Sequence, residues 1–122
     1  MKRCMIVDDS AVIRKVVKRI LSDADMMVVE VESGAQSLSL CSVEMPDIVI
    51  LDSNLPDMQP SEVIASIRAT ENGKKPRIIL CLPEVDLVKI MRAKRAGASG
   101  YILKPFDRNL LLRHFSRIAA AA

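Results

Sequence analysis

Aromatic residues are almost absent from this chain of 122 residues, which contains two Phe, one Tyr and no Trp. A platform of stacked aromatic rings for binding single-stranded nucleic acid is therefore nearly excluded. Half of the residues are nonetheless apolar, and seven Met can fill gaps between aliphatic side chains. A chain of this size and composition predicts one domain over residues 1–122, built around one aliphatic core.

Motifs for zinc binding and for disulfide frameworks are also missing. The three cysteines, Cys4, Cys41 and Cys81, are an odd number, are widely spaced and form no CxxC pair, and His114 is the only histidine. This pattern favours reduced thiols and a cytoplasmic protein. The apolar run after the basic N-terminus is too short for a signal peptide, and no run is long enough to span a membrane. We therefore expect no membrane insertion.

Short apolar runs alternate five times with segments of helical periodicity. The runs lie at residues 3–7, 26–31, 47–51, 77–82 and 99–103. Each is nearly continuous, as in strands that are buried on both faces. Strands that alternate with helices predict a parallel sheet with right-handed crossovers and with helices on both sides. Ligands of such sheets bind at the carboxyl ends of the strands.

The helical segments carry apolar residues at helical spacing, which predicts that one face of each helix packs on the sheet. Two of these stripes are Val12, Ile13, Val16, Val17, Ile20 and Leu21 in the first segment and Leu87, Val88, Ile90 and Met91 in the fourth. Ser10 stands where it can cap the first helix, because its hydroxyl can accept a hydrogen bond from a free backbone N–H group.

Three of the five apolar runs end in charged residues. Asp8 and Asp9 follow the first run, Asp52 ends the third, and Lys104 and Pro105 follow the fifth. Carboxylates that meet at one sheet edge repel one another unless a cation lies among them, and hard oxygen ligands suit Mg²⁺. A carboxylate at this edge can attack phosphorus to form an acyl phosphate, and the lysine ammonium suits a phosphoryl oxygen. Each signal alone also fits a helix cap, a turn or a solvated lysine, but together they favour a phosphoryl site.

Four segments resemble the receiver domain of two-component response regulators. They are residues 6–10 (IVDDS), 46–52 (PDIVILD), 54–56 (NLP) and 96–106 (AGASGYILKPF), and the resemblance covers nearly the whole chain. In length the chain is similar to the single-domain, CheY-like members of the family. The resemblance implies a flavodoxin-like (βα)5 fold, doubly wound in three layers, and a signalling protein rather than an enzyme.

The resemblance also implies a role for each residue at the predicted sheet edge. Asp52 would accept a phosphoryl group from a histidine kinase or a phosphotransfer protein. Asp8, Asp9 and Asp52 would bind Mg²⁺ together with the backbone carbonyl of Asn54. Lys104 would pair with the phosphoryl group.

Two positions depart from the family pattern. The family usually has Ser or Thr at the end of the fourth strand, but a gapless count from Gly97 places Leu82 there. Leucine cannot donate a hydrogen bond, and the neighbouring Cys81 is a weak donor that strand alternation is expected to direct away from the site. A missing donor could cost about 1–3 kcal/mol. Pro83 stiffens this loop, and Pro60 stands where the family usually has glycine, which predicts that it opens the third helix.

These departures leave two hypotheses open. The chain is either a phosphorylatable receiver or a degenerate pseudo-receiver that binds its partner independently of phosphate. For the phosphorylatable receiver, the resemblance implies an output face on the fourth helix, the fifth strand and the fifth helix. By the resemblance, Tyr101 would match the aromatic switch residue of the family; the alternative is a half-buried tyrosine on the fifth strand.

The charge of the chain is unevenly distributed. Residues 1–62 carry 11 acidic and 6 basic side chains, whereas residues 63–122 carry 4 and 12. The basic residues predicted on the output face are Lys89, Arg92, Arg95, Arg108, Arg113 and Arg117. They fit either an acidic protein partner or a solvated surface. A cyclic dinucleotide bound by Arg113 and Arg117 is a further possibility, whereas DNA binding is not expected because no helix-turn-helix segment remains.

Overall fold

The computed structural model describes residues 2–113, which form a five-stranded parallel sheet with helices on both faces. The elements are β1 (Lys2–Val7), α1 (Ala11–Asp23), β2 (Met26–Val31), α2 (Gly34–Val43), β3 (Ile48–Asp52), α3 (Pro60–Ala69), β4 (Arg77–Leu82), α4 (Leu87–Ala96) and β5 (Gly100–Leu103). A last helical segment begins at residue 108 and continues to residue 113. The strand order is β2-β1-β3-β4-β5, with every pairing parallel. The predicted fold is confirmed.

The sheet separates two hydrophobic layers. The layer under α1 and the last helical segment contains Cys4, Ile6, Ile50, Ile79, Cys81 and Ile102 from the strands. The layer under α2, α3 and α4 contains Met5, Val7, Val49, Leu51, Leu80 and Leu82. Successive residues of each strand therefore enter opposite layers, and all five residues of the central strand β3 are buried. This double burial explains the continuous apolar runs of the sequence.

The predicted stripe of α1 is only partly correct. Val12 and Val16 are exposed, at 72% and 43%. Arg14 is buried instead, together with Val17 and the Ile-Leu pair that follows it on the same face. The predicted apolar face of α1 is wider than the part of the helix that packs on the sheet. Val12 and Val16 lie outside the packed part and face solvent, whereas Arg14 lies within it.

Most of the apolar residues that were predicted to pack α4 on the sheet do not do so. Leu87, Val88 and Met91 are exposed, and the buried residue of this helix is Ala93. Ala93 belongs to the hydrophobic layer under α2, α3 and α4. The sequence pattern identified an apolar surface on α4 correctly, but the described residues do not cover that surface.

The C-terminal end of α4 is fixed to α3 by Arg68. The guanidinium of Arg68 donates to the carbonyl oxygen of Gly97 from Nε at 3.0 Å and from Nη2 at 2.8 Å. Its Nη1 donates to the carbonyl oxygens of Gly73 and Pro76 at 3.0 and 2.7 Å. Gly97 ends α4 with a φ of 119°, a left-handed conformation that favours glycine. Within the described residues, none of the helices is both long enough and apolar enough to cross a bilayer.

Candidate functional site

Asp8 and Asp52 lie side by side at the carboxyl edge of the sheet. Val7 on β1 pairs with Leu51 on β3. The residues that follow them, Asp8 and Asp52, are therefore neighbours at this edge. Asp8 and Asp52 are only 1% and 5% exposed, whereas Asp9 is exposed. One carboxylate oxygen from each of the three aspartates lies within 4.8 Å of the others. The structure thus brings together the three acids that the sequence placed at strand ends.

Lys104 completes this cluster from the end of β5. Its Nζ donates to Asp8 Oδ2 at 2.8 Å and to Asp52 Oδ1 at 2.9 Å. Its backbone N–H donates to the carbonyl oxygen of Leu82 at 2.7 Å, which ties the end of β5 to the end of β4. One ammonium group therefore bridges two buried carboxylates that are remote from it in the sequence.

The cluster has one buried ammonium group for two buried carboxylates, and the pKa values of Lys104 and Asp52 are both raised. Burial opposes the charged form of Lys104, but its hydrogen bonds to Asp8 and Asp52 outweigh burial and raise its pKa above the ordinary value. Burial also raises the pKa of Asp52, because the hydrogen bond and charge of Lys104 do not fully offset burial and the nearby charge of Asp8. A single cation shared by two buried acids leaves surplus negative charge at the edge.

The donor set of this edge fits a hard divalent cation. Mg²⁺ prefers oxygen ligands and usually keeps several waters beside one or two carboxylates. Two of the three grouped acids are buried and the third is exposed to water, so an ion could bind here without losing its whole hydration shell. The backbone N–H of Asn54 hydrogen-bonds to Asp52, which holds the segment that carries the predicted carbonyl ligand close to the acids.

Arg14, which sequence reasoning missed, holds the Asp8 segment in place. Its Nη1 donates to the carbonyl oxygen of Asp8 at 2.8 Å, and its Nε donates to Glu30 Oε1 at 3.3 Å. The backbone N–H of Asp8 donates to the carbonyl oxygen of Val31 at 3.0 Å. A basic residue inside an otherwise apolar helical stripe was the signal that could have identified this contact. Ser10 caps α1 as predicted, through its hydroxyl and the backbone N–H of Ile13.

The segment after Asp52 is held against α2 and α3. Asp57 accepts hydrogen bonds from the backbone N–H groups of Gly34 and Ala35, both at 2.9 Å, at the N-terminus of α2. Carboxylates are favourable at this end of a helix because it carries free N–H groups and partial positive charge. Pro60 is the first residue of α3, as predicted. Both features restrict the segment that contains Asn54.

At the end of β4, the orientation of Cys81 differs from the one expected from the sequence. Leu82 is fully buried in the layer under α3 and α4. Cys81 pairs directly with Asp52, and residues paired in this way point to the same face of a sheet, so the expectation that Cys81 points away was wrong. Burial raises the pKa of the Cys81 thiol to about 12; the charge of Lys104 opposes this, and the charges of Asp52 and Asp8 add to it. Cys81 is therefore a neutral, buried thiol beside the acids.

The predicted output-face residues have different surroundings. Lys89, in the first turn of α4, donates from Nζ to Asn54 Oδ1 at 3.2 Å and so lies against the acidic edge. Arg108 pairs with Asp23 of α1 at 3.0 Å. Tyr101 is 44% exposed beside a groove of about 260 Å³ between α4 and β5. Arg92, Arg95 and Arg113 are exposed, and Arg117 lies outside the described residues.

Comparison with known proteins gives one family. Residues 4–116 match the model of the response regulator receiver domain. The chemotaxis protein CheY of Listeria monocytogenes is 32% identical over 120 residues, which cover 98% of this chain and 99% of that protein. Proteins of this family carry signals in two-component systems, between histidine kinases and downstream targets.

Two solved structures agree with this result. The chemotaxis response regulator CheY4 of Vibrio cholerae has a TM-score of 0.91 and 30% identity, with 97% of this chain and 98% of that chain covered. The receiver domain of the sensor histidine kinase PA1611 from Pseudomonas aeruginosa PAO1 has a magnesium ion coordinated in its active site cleft; its TM-score is 0.86 at 27% identity, with 95% of each chain covered. The chain therefore belongs to the response regulator receiver domain family.

Proposed function

We propose that this chain is a stand-alone receiver domain over residues 1–122 that accepts a phosphoryl group on Asp52. The donor would be the phosphohistidine of a histidine kinase or of a phosphotransfer protein. The observation that carries the proposal is the bridge from Lys104 Nζ to Asp8 and Asp52 at a buried sheet edge. CheY-like relatives that are covered almost end to end by this chain support the stand-alone role.

In the proposed transfer, a carboxylate oxygen of Asp52 forms a bond to phosphorus while the bond from phosphorus to the donor imidazole nitrogen breaks. The electron pair of the broken bond remains on that nitrogen. The raised pKa of Asp52 makes its carboxylate a better nucleophile than an exposed aspartate. The ammonium of Lys104 already donates a hydrogen bond to an Asp52 oxygen. It is therefore close enough to pair with a negatively charged phosphoryl oxygen once that group is bonded to Asp52.

Mg²⁺ would be held by Asp8, Asp9 and Asp52 together with the carbonyl of Asn54, and when bound it would neutralise negative charge on the carboxylates and the phosphoryl group. Arg14 would keep the Asp8 segment in position for this role through its hydrogen bond to the Asp8 carbonyl. The oxygen-only donor set at the edge supports this assignment.

The output would be a protein contact in the cytoplasm through the face made of α4, β5 and the last helical segment. Exposed apolar residues of α4, among them Leu87 and Met91, lie on the same helix as the basic residues Arg92 and Arg95. A surface that combines apolar and basic residues fits a partner with acidic and apolar side chains.

The proposed acceptor is tested with a small phosphodonor. Incubation with acetyl phosphate and Mg²⁺ is expected to give an acyl phosphate, detected as phosphate that hydroxylamine removes. Chelation of Mg²⁺ with EDTA is expected to reduce the rate of labelling by at least about 10-fold. Without the cation, the negative charge of the transferring phosphoryl group is less well neutralised, and a barrier higher by roughly 1.4 kcal/mol slows a reaction tenfold. Equal labelling with EDTA, or label that resists hydroxylamine, would contradict the proposal.

A second candidate, a pseudo-receiver that ignores phosphate, is supported by one observation. Leu82 is fully buried at the end of β4, where a hydroxyl would be expected to contact a phosphoryl oxygen. Backbone NMR with beryllofluoride and Mg²⁺ separates the candidates. We expect resonances of both Asp52 and Tyr101 to shift in the unmodified protein. A shift at Asp52 alone, with a Tyr101 response that arises only in Leu82→Thr, would favour the pseudo-receiver.

A further inference from the structure

Ser53 carries an unusual buried hydroxyl. The residue is 3% exposed, and its Oγ is the one buried side-chain N or O atom within residues 2–113 that has no hydrogen-bond partner. A buried polar group without a partner destabilises the folded state, since water satisfied it in the unfolded chain. Such groups are rare in proteins and call for an explanation, such as a ligand that supplies the partner.

The position of Ser53 relates this hydroxyl to the proposed phosphoryl site. Ser53 directly follows Asp52, and its backbone N–H donates to the carbonyl oxygen of Cys81 at 2.9 Å. This bond continues the pairing of β3 with β4 for one residue beyond the end of β3. Because Asp52 pairs with Cys81, Ser53 lies next to Leu82 at the rim of the acidic edge.

Few side-chain donors surround the position of a phosphoryl group on Asp52. Its three terminal oxygens carry the charge, and Lys104 has an ammonium available for one of them. The end of β4 offers only Leu82, which cannot donate, and Cys81, a weak donor buried in the core. A serine hydroxyl is small and rotates freely about its Cα–Cβ bond, so it can turn toward a new acceptor.

We propose that Ser53 Oγ donates a hydrogen bond to a phosphoryl oxygen on Asp52. The phosphorylated state then satisfies a hydroxyl that the unphosphorylated state leaves without a partner. Ser53 would thus supply from β3 the donor that Leu82 does not supply from β4. The inference rests on the proposed role of Asp52 as phosphoacceptor and adds a phosphoryl-positioning residue to it.

Ser53→Ala tests this role with two measurements that should change in opposite senses. The affinity for beryllofluoride in the presence of Mg²⁺ is expected to fall about 10-fold, the effect of one lost hydrogen bond to a charged group. The urea midpoint of the protein without Mg²⁺ or beryllofluoride is expected to stay the same or rise, because the variant buries no unsatisfied hydroxyl. A purely structural hydroxyl would instead give Ser53→Ala a lower urea midpoint and an unchanged affinity for beryllofluoride.

Three further variants sharpen the test. Ser53→Cys keeps the size of the side chain but donates weakly, so it should lose affinity as Ser53→Ala does. Ser66→Ala, a matched change in α3, should alter neither measurement. Adding Leu82→Thr to Ser53→Ala places a hydroxyl on the neighbouring strand and should restore most of the affinity, whereas no recovery would argue against a missing donor.

Failure of the inference can be distinguished from failure of the proposed function. If the unmodified protein does not bind beryllofluoride with Mg²⁺, the role of Asp52 is wrong and the role of Ser53 falls with it. If the unmodified protein binds and both Ser53→Ala and Ser53→Cys bind equally well, only the role of Ser53 is overturned.

Discussion

Replacement of Lys104 by methionine is expected to lower the free energy of unfolding by about 3–5 kcal/mol at pH 7 without Mg²⁺, the cost of removing one partner from a buried ion pair. The Lys104 ammonium is hydrogen-bonded to both Asp8 and Asp52, which are almost fully buried. Methionine fills a similar volume but leaves the two carboxylates facing each other with no cation between them. Urea unfolding in EDTA measures the loss.

The pH dependence separates the loss of charge from the loss of packing. The raised pKa of Lys104 means that its stabilising contribution is fully present below the ordinary lysine pKa and is lost as pH rises through the folded-state pKa. In Lys104→Met the destabilisation arises from ionised carboxylates, so it should shrink as acidification protonates Asp52. Added Mg²⁺ should recover part of the stability at pH 7, because a cation that binds only the folded state stabilises it.

Lys94→Met provides the control for this prediction. Lys94 is an exposed residue of α4, and its replacement should change the free energy of unfolding by less than about 0.5 kcal/mol. A loss in Lys104→Met that is equally large at acidic and neutral pH would show that packing, and not the charge of Lys104, is responsible. A loss no larger than that of Lys94→Met would show that the bridge contributes little.

The elements and the acidic edge were predictable from the sequence because both depend on local pattern. Each apolar run became a strand within one residue of its predicted bounds, since double burial leaves a nearly continuous apolar signal. The parallel arrangement then places every carboxyl end at one edge. The meeting of Asp8, Asp52 and Lys104 follows from these two facts and needs no knowledge of individual contacts.

Contacts that depend on register or on the covering of a surface were not predictable. The position of Cys81 beside Asp52 depends on how β4 is aligned with β3, which alternation within one strand does not determine. The burial of Arg14 depends on a carbonyl group at the end of a different element. The stripe of α4 shows that helical spacing identifies an apolar face but not whether other residues cover it.

Replacement of Asp52 by asparagine is expected to abolish phosphorylation and to stabilise the protein. Labelling by acetyl phosphate should fall by at least about 100-fold, since an amide does not form an acyl phosphate as a carboxylate nucleophile does. The pKa of Asp52 is raised in the folded state, mainly by burial, so ionisation of this residue destabilises the fold. That destabilisation grows as pH rises from the ordinary aspartate pKa to the folded-state value and then stays constant.

Asp52→Asn should therefore unfold at higher urea concentration than the unmodified protein at pH 7 in EDTA, and the difference should disappear near pH 3, where Asp52 is protonated in both states. Asp25→Asn is the matched control, because Asp25 is exposed and asparagine tolerates its positive φ of 63°. It should keep full labelling and unchanged stability. Lost labelling together with lost stability in Asp52→Asn would mean that the variant is damaged generally. Labelling that persists in Asp52→Asn would place the phosphoacceptor elsewhere. Lost labelling together with increased stability would show that the buried charge of Asp52 serves phosphoryl transfer although it destabilises the folded protein.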